Sequence, residues 1–200
     1  MSYWDERYST PDYLFGEEPN AFLAAQKPLL PSAGKALAIA DGEGRNGVWL
    51  AEQGLDVLSL DASPVGQEKA KRLSQKRGVS LETKLQDISA FDWPSMQFDV
   101  VVGIFFQFAG PALRDEIFAG LRKTLKPGGL LIIEGYGVRQ LEYKTGGPSQ
   151  IENLYTKALL AEKFAGMDIL HLREHDSEIA EGSRHVGMSS LVDLVARNPA

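Results

Sequence analysis

Ala38-Ile39-Ala40-Asp41-Gly42-Glu43-Gly44-Arg45-Asn46-Gly47 joins a short apolar run to a segment of helical periodicity. Upstream, Lys35 to Ala40 is bounded by glycines and reads as a buried strand. Downstream, Val48, Leu50 and Ala51 fall at helical spacing between Gly44 and Gln53. Gly42, Gly44 and Gly47 spell GxGxxG, whose glycines let the backbone turn sharply and come close to a ligand. Roughly twenty residues on, Asp61 ends the strand-like run Leu55 to Leu60, where a carboxylate can accept hydrogen bonds from ribose hydroxyls. Strand, loop, helix and acid together point to an adenosine-containing cofactor. The competing reading is a tight strand-to-helix turn beside an exposed Asp61.

The same alternation continues outward. Pro64 to Arg77 predicts an amphipathic helix stopped by Gly78, and Val79 to Leu85 a third strand. Phe98 to Phe106 is the most apolar run, as expected of a central strand covered on both faces. Pro111 to Leu125 predicts a helix ended by Pro127-Gly128-Gly129, and Leu130 to Glu134 a fifth strand. Ile151 to Phe164 predicts a further helix. Asp168–His175 and Met188–Ala196 predict two closing strands around Glu181-Gly182-Ser183-Arg184. Residues 1–18 are aromatic, charged and aperiodic, an N-terminal arm. A helix is expected from Pro19 to before Pro31. The expected fold is a single α/β domain spanning 1–200. It is Rossmann-like, with a mostly parallel seven-stranded sheet, helices on both faces and a C-terminal antiparallel pair. Ligands in such sheets bind at the carboxyl ends of the strands.

Composition narrows the function. The chain has 200 residues, 44% hydrophobic and 24% charged, and a formal net charge of -6. That sign argues against a nucleic-acid partner. There is no cysteine, which excludes disulfides, thiolate nucleophiles and Cys-based metal sites. Neither a signal core nor a bilayer-length apolar stretch is present, so a cytoplasmic protein with no membrane partner is expected. The pattern sets no oligomeric state.

The third strand ends in Leu85-Gln86-Asp87-Ile88, where an acid suits an adenine amino group and Ile88 can flank the ring; alone, Asp87 is more often a turn or cap residue. No Tyr is followed four residues later by Lys, so the usual short-chain dehydrogenase pair is missing. At this point the chain resembles the class I S-adenosylmethionine-dependent methyltransferases. Ala38 to Asn46 is similar to their first motif, Phe98-Asp99-Val100-Val101-Val102 to their fourth strand, and Leu125-Lys126-Pro127-Gly128-Gly129-Leu130-Leu131-Ile132 to the turn before their fifth. Trp4-Asp5-Glu6-Arg7-Tyr8, Gly16, Pro19-Asn20 and Glu181-Gly182 with His185-Val186-Gly187 resemble the small tellurite-resistance and thiopurine methyltransferase-like group. The chain departs from that pattern at Ala38, where an acid is usual, at Ala40, usually glycine, and at Gln107, often histidine.

The resemblance implies S-adenosyl-L-methionine as cofactor. Gly42 and Gly44 would lie against its methionine part, Asp61 and Ala62 at the ribose, Asp87 and Ile88 at adenine, and Phe105 and Gln107 near the sulfonium. Trp4, Tyr8 and Tyr13 would form a lid, within residues 1–30. Methyl transfer is an in-line displacement that depends mainly on alignment and exclusion of water. A thiolate or reduced chalcogen needs no base; for an amine or hydroxyl, His185 is the candidate. The partner implied is a small-molecule methyl acceptor of the tellurite/selenite or thiol detoxification type. His171 and His175, four apart on a strand, share a face without an evident carboxylate, and no metal site is expected. Two other readings stay open on the residues: a non-catalytic binder of the cofactor or its demethylated product, suggested by Ala38 and Ala40, and an NAD-dependent oxidoreductase, suggested by the literal GxGxxG.

Overall fold

Apolar residues alternate along the central strands, and this alternation builds a core on each side of one sheet. The computed structural model describes residues 2–200. Its strands are β1 (Lys35–Ile39), β2 (Asp56–Asp61), β3 (Glu82–Leu85), β4 (Phe98–Ile104), β5 (Leu125–Tyr136), β6 (Asp168–Glu181) and β7 (His185–Arg197). They form a 7-stranded sheet in the order β3-β2-β1-β4-β5-β7-β6. β1 to β5 are parallel, while β7 runs antiparallel to both β5 and β6. Leu37, Ile39, Val101, Leu131 and Ile133 bury one face with Phe118, Leu121 and Phe164. Ala36, Ala38, Val100, Val102 and Ile132 bury the other with Leu23 and Leu50. The order reverses between β1 and β4, so their carboxyl ends open a crevice.

The helices are α1 (Tyr3–Tyr8), α2 (Ala21–Ala25), α3 (Arg45–Glu52), α4 (Pro64–Arg77), α5 (Pro111–Thr124), α6 (Gln140–Tyr143) and α7 (Lys157–Lys163). The α4 boundaries agree with the sequence reading. The Ser63 side chain accepts from Gly66 N–H, Pro64 fills the first turn, and Gly78 ends the helix in the left-handed conformation. No helix among the described residues is long and apolar enough to cross a membrane.

Several expectations are corrected. The arm is not wholly aperiodic: Ser2 and Asp5 form a reciprocal capping box that starts α1. The helix expected from Pro19 shortens to α2 and a 3-10 turn at Lys27–Leu29. Leu125 to Gly129 belongs to β5, since Leu125 pairs with Phe98 across a bulge. The span 151–164 splits because Thr156 caps a new helix after a separate turn. The closing hairpin is longer than expected on both strands and turns at residues 182–184.

Candidate active site

The glycine loop is held by carboxylates. Asp61 Oδ2 accepts from Gly42 N–H at 2.8 Å and Oδ1 from Ser63 N–H at 2.8 Å, which fixes the acid at the end of β2 against the loop. Burial raises its pKa against the lowering effect of these backbone donors. Asp41 Oδ1 accepts from Gly47 N–H at 3.1 Å and Oδ2 from the Ser59 hydroxyl at 2.7 Å. Asp41 therefore supplies the loop-ordering bond that Ala38 cannot make. Burial, only partly offset by Ser59 and Gly47, pushes its carboxyl up to about 7. Ala40 takes φ 46°, a left-handed conformation better suited to glycine, so this departure leaves local strain of about 1–2 kcal/mol.

A cavity of about 210 Å³ opens beside this loop and is walled in part by Gly42, Asp61, Ala62, Asp87, Ile88 and Phe105. Asp87 is also a cap: its Oδ1 accepts from the Ser89 N–H and hydroxyl, which lower its pKa. Both readings of Asp87 thus coexist. Phe105 follows β4 at φ 53°, a strained conformation for a bulky side chain, and turns the chain across the crevice. A second cavity of about 260 Å³ adjoins the first. Trp4, Phe15, Phe105, Phe108 and His185 line both.

Three expected site residues lie elsewhere. Gly44, at φ 88°, does not line either cavity; a Cβ there would sit 2.7 Å from the Ala70 Cα, so this glycine lets the loop touch α4. Gln107 faces the second cavity only, and its amide donates to the Tyr136 and Asn153 carbonyls while accepting from Tyr136 N–H. It braces β5 instead of facing the first cavity. Tyr13 packs over the Lys69 ammonium at 5.5 Å and donates to the Lys69 carbonyl, outside both cavities.

The arm is pinned by groups that the sequence reading did not connect. Glu43 and Lys69 form a buried ion pair at 2.6 Å. Glu43 Oε2 also accepts from Leu14 N–H at 2.7 Å, and Lys69 Nζ donates to the Asp12 carbonyl at 2.7 Å. Ser63 donates to Asp5 at 2.6 Å, which ties α1 to the turn after Asp61. Trp4 stacks on Tyr8, and a Cβ on Gly42 would meet the Tyr8 hydroxyl. Gly182 packs so closely on the Phe15 and Gly16 backbone that a side chain there would collide with it, and Ser183 N–H donates to the Leu14 carbonyl at 3.0 Å.

His185 lies between Phe15 and Phe105, with ring centroids 4.4 and 4.5 Å away. Its Nδ1 is 3.7 Å from Glu181 Oε2, beyond hydrogen-bond reach. Burial lowers its pKa, favouring the neutral imidazole, while Glu181 acts the other way. Burial alone would raise Glu181, but its contacts with His185 and the Arg45 guanidinium, 2.7 Å away, bring it down to about 2. Arg45 is thus a buried partner and not a surface charge. His171 and His175 do share a face and have a carboxylate after all: Asp193 Oδ2 lies 3.8 and 2.6 Å from their Nε2 atoms. Among the described residues no group of three potential ligands could hold a metal ion.

Residues 36–129 match the family model described as "Methyltransferase domain". Over that span the chain is similar to methyltransferase domains. An uncharacterized methyltransferase of Synechocystis sp. (strain ATCC 27184 / PCC 6803 / Kazusa) is 28% identical over 119 residues, covering 59% of this chain and 54% of that protein. The chain thus spans about half the length of that relative. The fold is also that of TehB from Haemophilus influenzae, with TM-score 0.75 and 19% identity over 98% of this chain and 66% of that one. The N-methyltransferase NodS from Bradyrhizobium japonicum WM9, solved in complex with S-adenosyl-L-homocysteine, gives TM-score 0.73 and 14% identity over 98% of this chain and 97% of that one. The matched span runs from β1 into β5 and includes the glycine loop, Asp61 and Asp87.

Proposed function

We propose that the protein is a methyltransferase that binds S-adenosyl-L-methionine in the first cavity and a small-molecule acceptor in the second. The observation that carries this reading is the common wall. A donor chamber and an acceptor chamber meet at Phe105 and His185, as group transfer between two ligands requires. A protein that only stored the cofactor would need no second chamber.

The donor chamber suits a cation. Asp41, Glu43, Asp61 and Asp87 line it, with Arg45 as the cation already engaged by Glu181. Asp61 would hold the ribose hydroxyls on the lone pairs left by its two backbone bonds, Ala62 would sit beside it, and Ile88 would cover adenine. Bound there, the sulfonium would supply a methyl group that leaves without its electron pair. Residues 1–30 act as a lid through Trp4, Tyr8 and Phe15. His185 accepts a proton when the acceptor is a hydroxyl or an amine. A thiolate or reduced chalcogen acceptor, suggested by the resemblance and by the likeness to TehB, would leave His185 a shaping role.

Calorimetric titration with S-adenosylhomocysteine, with NADH as control, tests the reading. The expected result is binding of the former alone, weakened about 10- to 100-fold in Asp61→Asn by loss of charge-assisted hydrogen bonds. Preference for NADH, or an unchanged Asp61→Asn, would overturn it.

A further inference from the structure

The two chambers differ in charge. Asp or Glu side chains are absent from the walls of the second cavity, although the chain as a whole carries a net charge of -6. Its charged wall residues are the guanidinium groups of Arg7 and Arg184. Among the described residues neither has a carboxylate within 4 Å, and the Arg7 guanidinium donates to the Tyr3 hydroxyl. Arg7 lies over the rings of Tyr3 and Trp4, 5.1 and 5.5 Å from their centroids, which holds its side chain at the cavity wall. Its Nε is buried with no hydrogen-bond partner.

Other wall groups are also unsatisfied. The Tyr136 hydroxyl and Asn153 Oδ1 are buried without partners, in residues 2% and 8% exposed. Aromatic rings line the cavity too, among them Trp4, Phe15 and Phe108. Phe108 is 47% exposed despite its size, as expected of a ring that awaits a flat partner.

Building on the methyltransferase reading, we propose that the acceptor is an aromatic organic anion: a ring bearing a carboxylate and a hydroxyl or amino nucleophile. Its carboxylate meets Arg7 and Arg184, and its ring lies against Trp4 and Phe108. For a hydroxyl nucleophile, the oxygen forms the new bond to the methyl carbon. The carbon–sulfur bond breaks with its electron pair remaining on sulfur, and the hydroxyl proton passes to His185. The acceptor's negative charge is then balanced by the two guanidinium groups instead of drawing the sulfonium out of its own chamber.

The test compares 4-hydroxybenzoate with its neutral analogue 4-hydroxybenzamide and the cationic 4-hydroxybenzylamine. Each is titrated calorimetrically into full-length protein saturated with S-adenosylhomocysteine. The anion is expected to bind at least about tenfold tighter than either analogue, a preference lost in Arg7→Gln and Arg184→Gln while 4-hydroxybenzamide is unaffected. Arg184 is exposed at the hairpin turn, so its variant reads the charge without disturbing α1. Equal or stronger binding of a neutral or cationic analogue, no binding of any of the three, or an unchanged preference in both variants overturns the proposal. Failure of S-adenosylhomocysteine itself to bind overturns the methyltransferase reading beneath it.

Discussion

Lys69→Met puts a magnitude on the attachment of the arm. The substitution keeps the side-chain length and removes the ammonium. It leaves the Glu43 carboxylate buried, with Leu14 N–H at 2.7 Å and Phe15 N–H at 3.5 Å as its donors. It also deletes the bond to the Asp12 carbonyl and the cation under the Tyr13 ring. Removing one partner of a buried ion pair costs about 3–5 kcal/mol. If arm and core unfold together, this lowers Tm by roughly 6–20 °C for a chain of this size. If the arm releases first, the loss appears as faster proteolysis near residues 12–16 with a smaller change in Tm. Glu43→Gln/Lys69→Met removes both charges and keeps an oxygen for Leu14 N–H, so the double variant is expected to be more stable than Lys69→Met by about 2 kcal/mol. Urea denaturation of all four members of the cycle, with limited proteolysis in parallel, measures both quantities. A cost below about 1 kcal/mol by either readout, or a coupling energy near zero, would refute the reasoning.

Glu134 should give stability a pH dependence of its own. Burial first, and the neighbouring Asp193 and Glu181 charges next, hold its pKa well above the ordinary carboxylate range, despite the Asn20 amide donating to it. Between the unfolded and folded pKa values the folded chain holds a proton that the unfolded chain gives up, so stability falls as pH rises through that window. Glu134→Gln mimics the protonated acid, and in urea titrations from pH 5 to 9 it should flatten the decline and gain most at high pH; an unchanged slope contradicts the assignment. Gly44→Ala should destabilise by roughly 2–4 kcal/mol, combining its left-handed backbone with overlap on Ala70. Adding Ala70→Gly should recover only part of the loss in thermal melts, since the residue 70 Cα, 2.7 Å from the added Cβ, remains; full recovery would show that the left-handed backbone costs nothing.

Local signals made the sheet and the first cavity legible. The glycine loop, Asp61 and α4 each carry their cause in neighbouring residues: turn chemistry, strand end, cap and stop. What stayed hidden depends on contacts between distant segments. Glu43 and Lys69 look like two surface charges until the fold brings them to 2.6 Å. Gly44 matched a ligand-binding motif, yet its need for a missing Cβ comes from Ala70. Gln107 stood where a site residue was expected but spends its amide on the backbone of β5 and the 151–153 turn. Tyr13 was grouped with the lid by residue type, while its partner lies 56 positions away. The Ser2–Asp5 capping box was readable in principle, but α1 is six residues long, too short to show a period.

The closing hairpin outruns its support. β7 is bonded to β5 only from Leu191 to Arg197, while its pairing with β6 continues to Glu181 and His185. Residues 185–190 continue as a two-stranded ribbon with β6, held at its base by Gly137 and Gln140 on Ser190 and by Thr145 on the Met188 carbonyl, and with little stability of its own beyond them. What steadies the tip is the arm, through Leu14, Phe15 and Gly16, and Arg45 beneath it. Roof and ribbon are thus each other's buttress. Lifting the roof to admit a donor also slackens the wall that carries His185 and Arg184. Substitutions that loosen the arm at residues 14–16 should therefore also loosen the ribbon that carries His185 and Arg184.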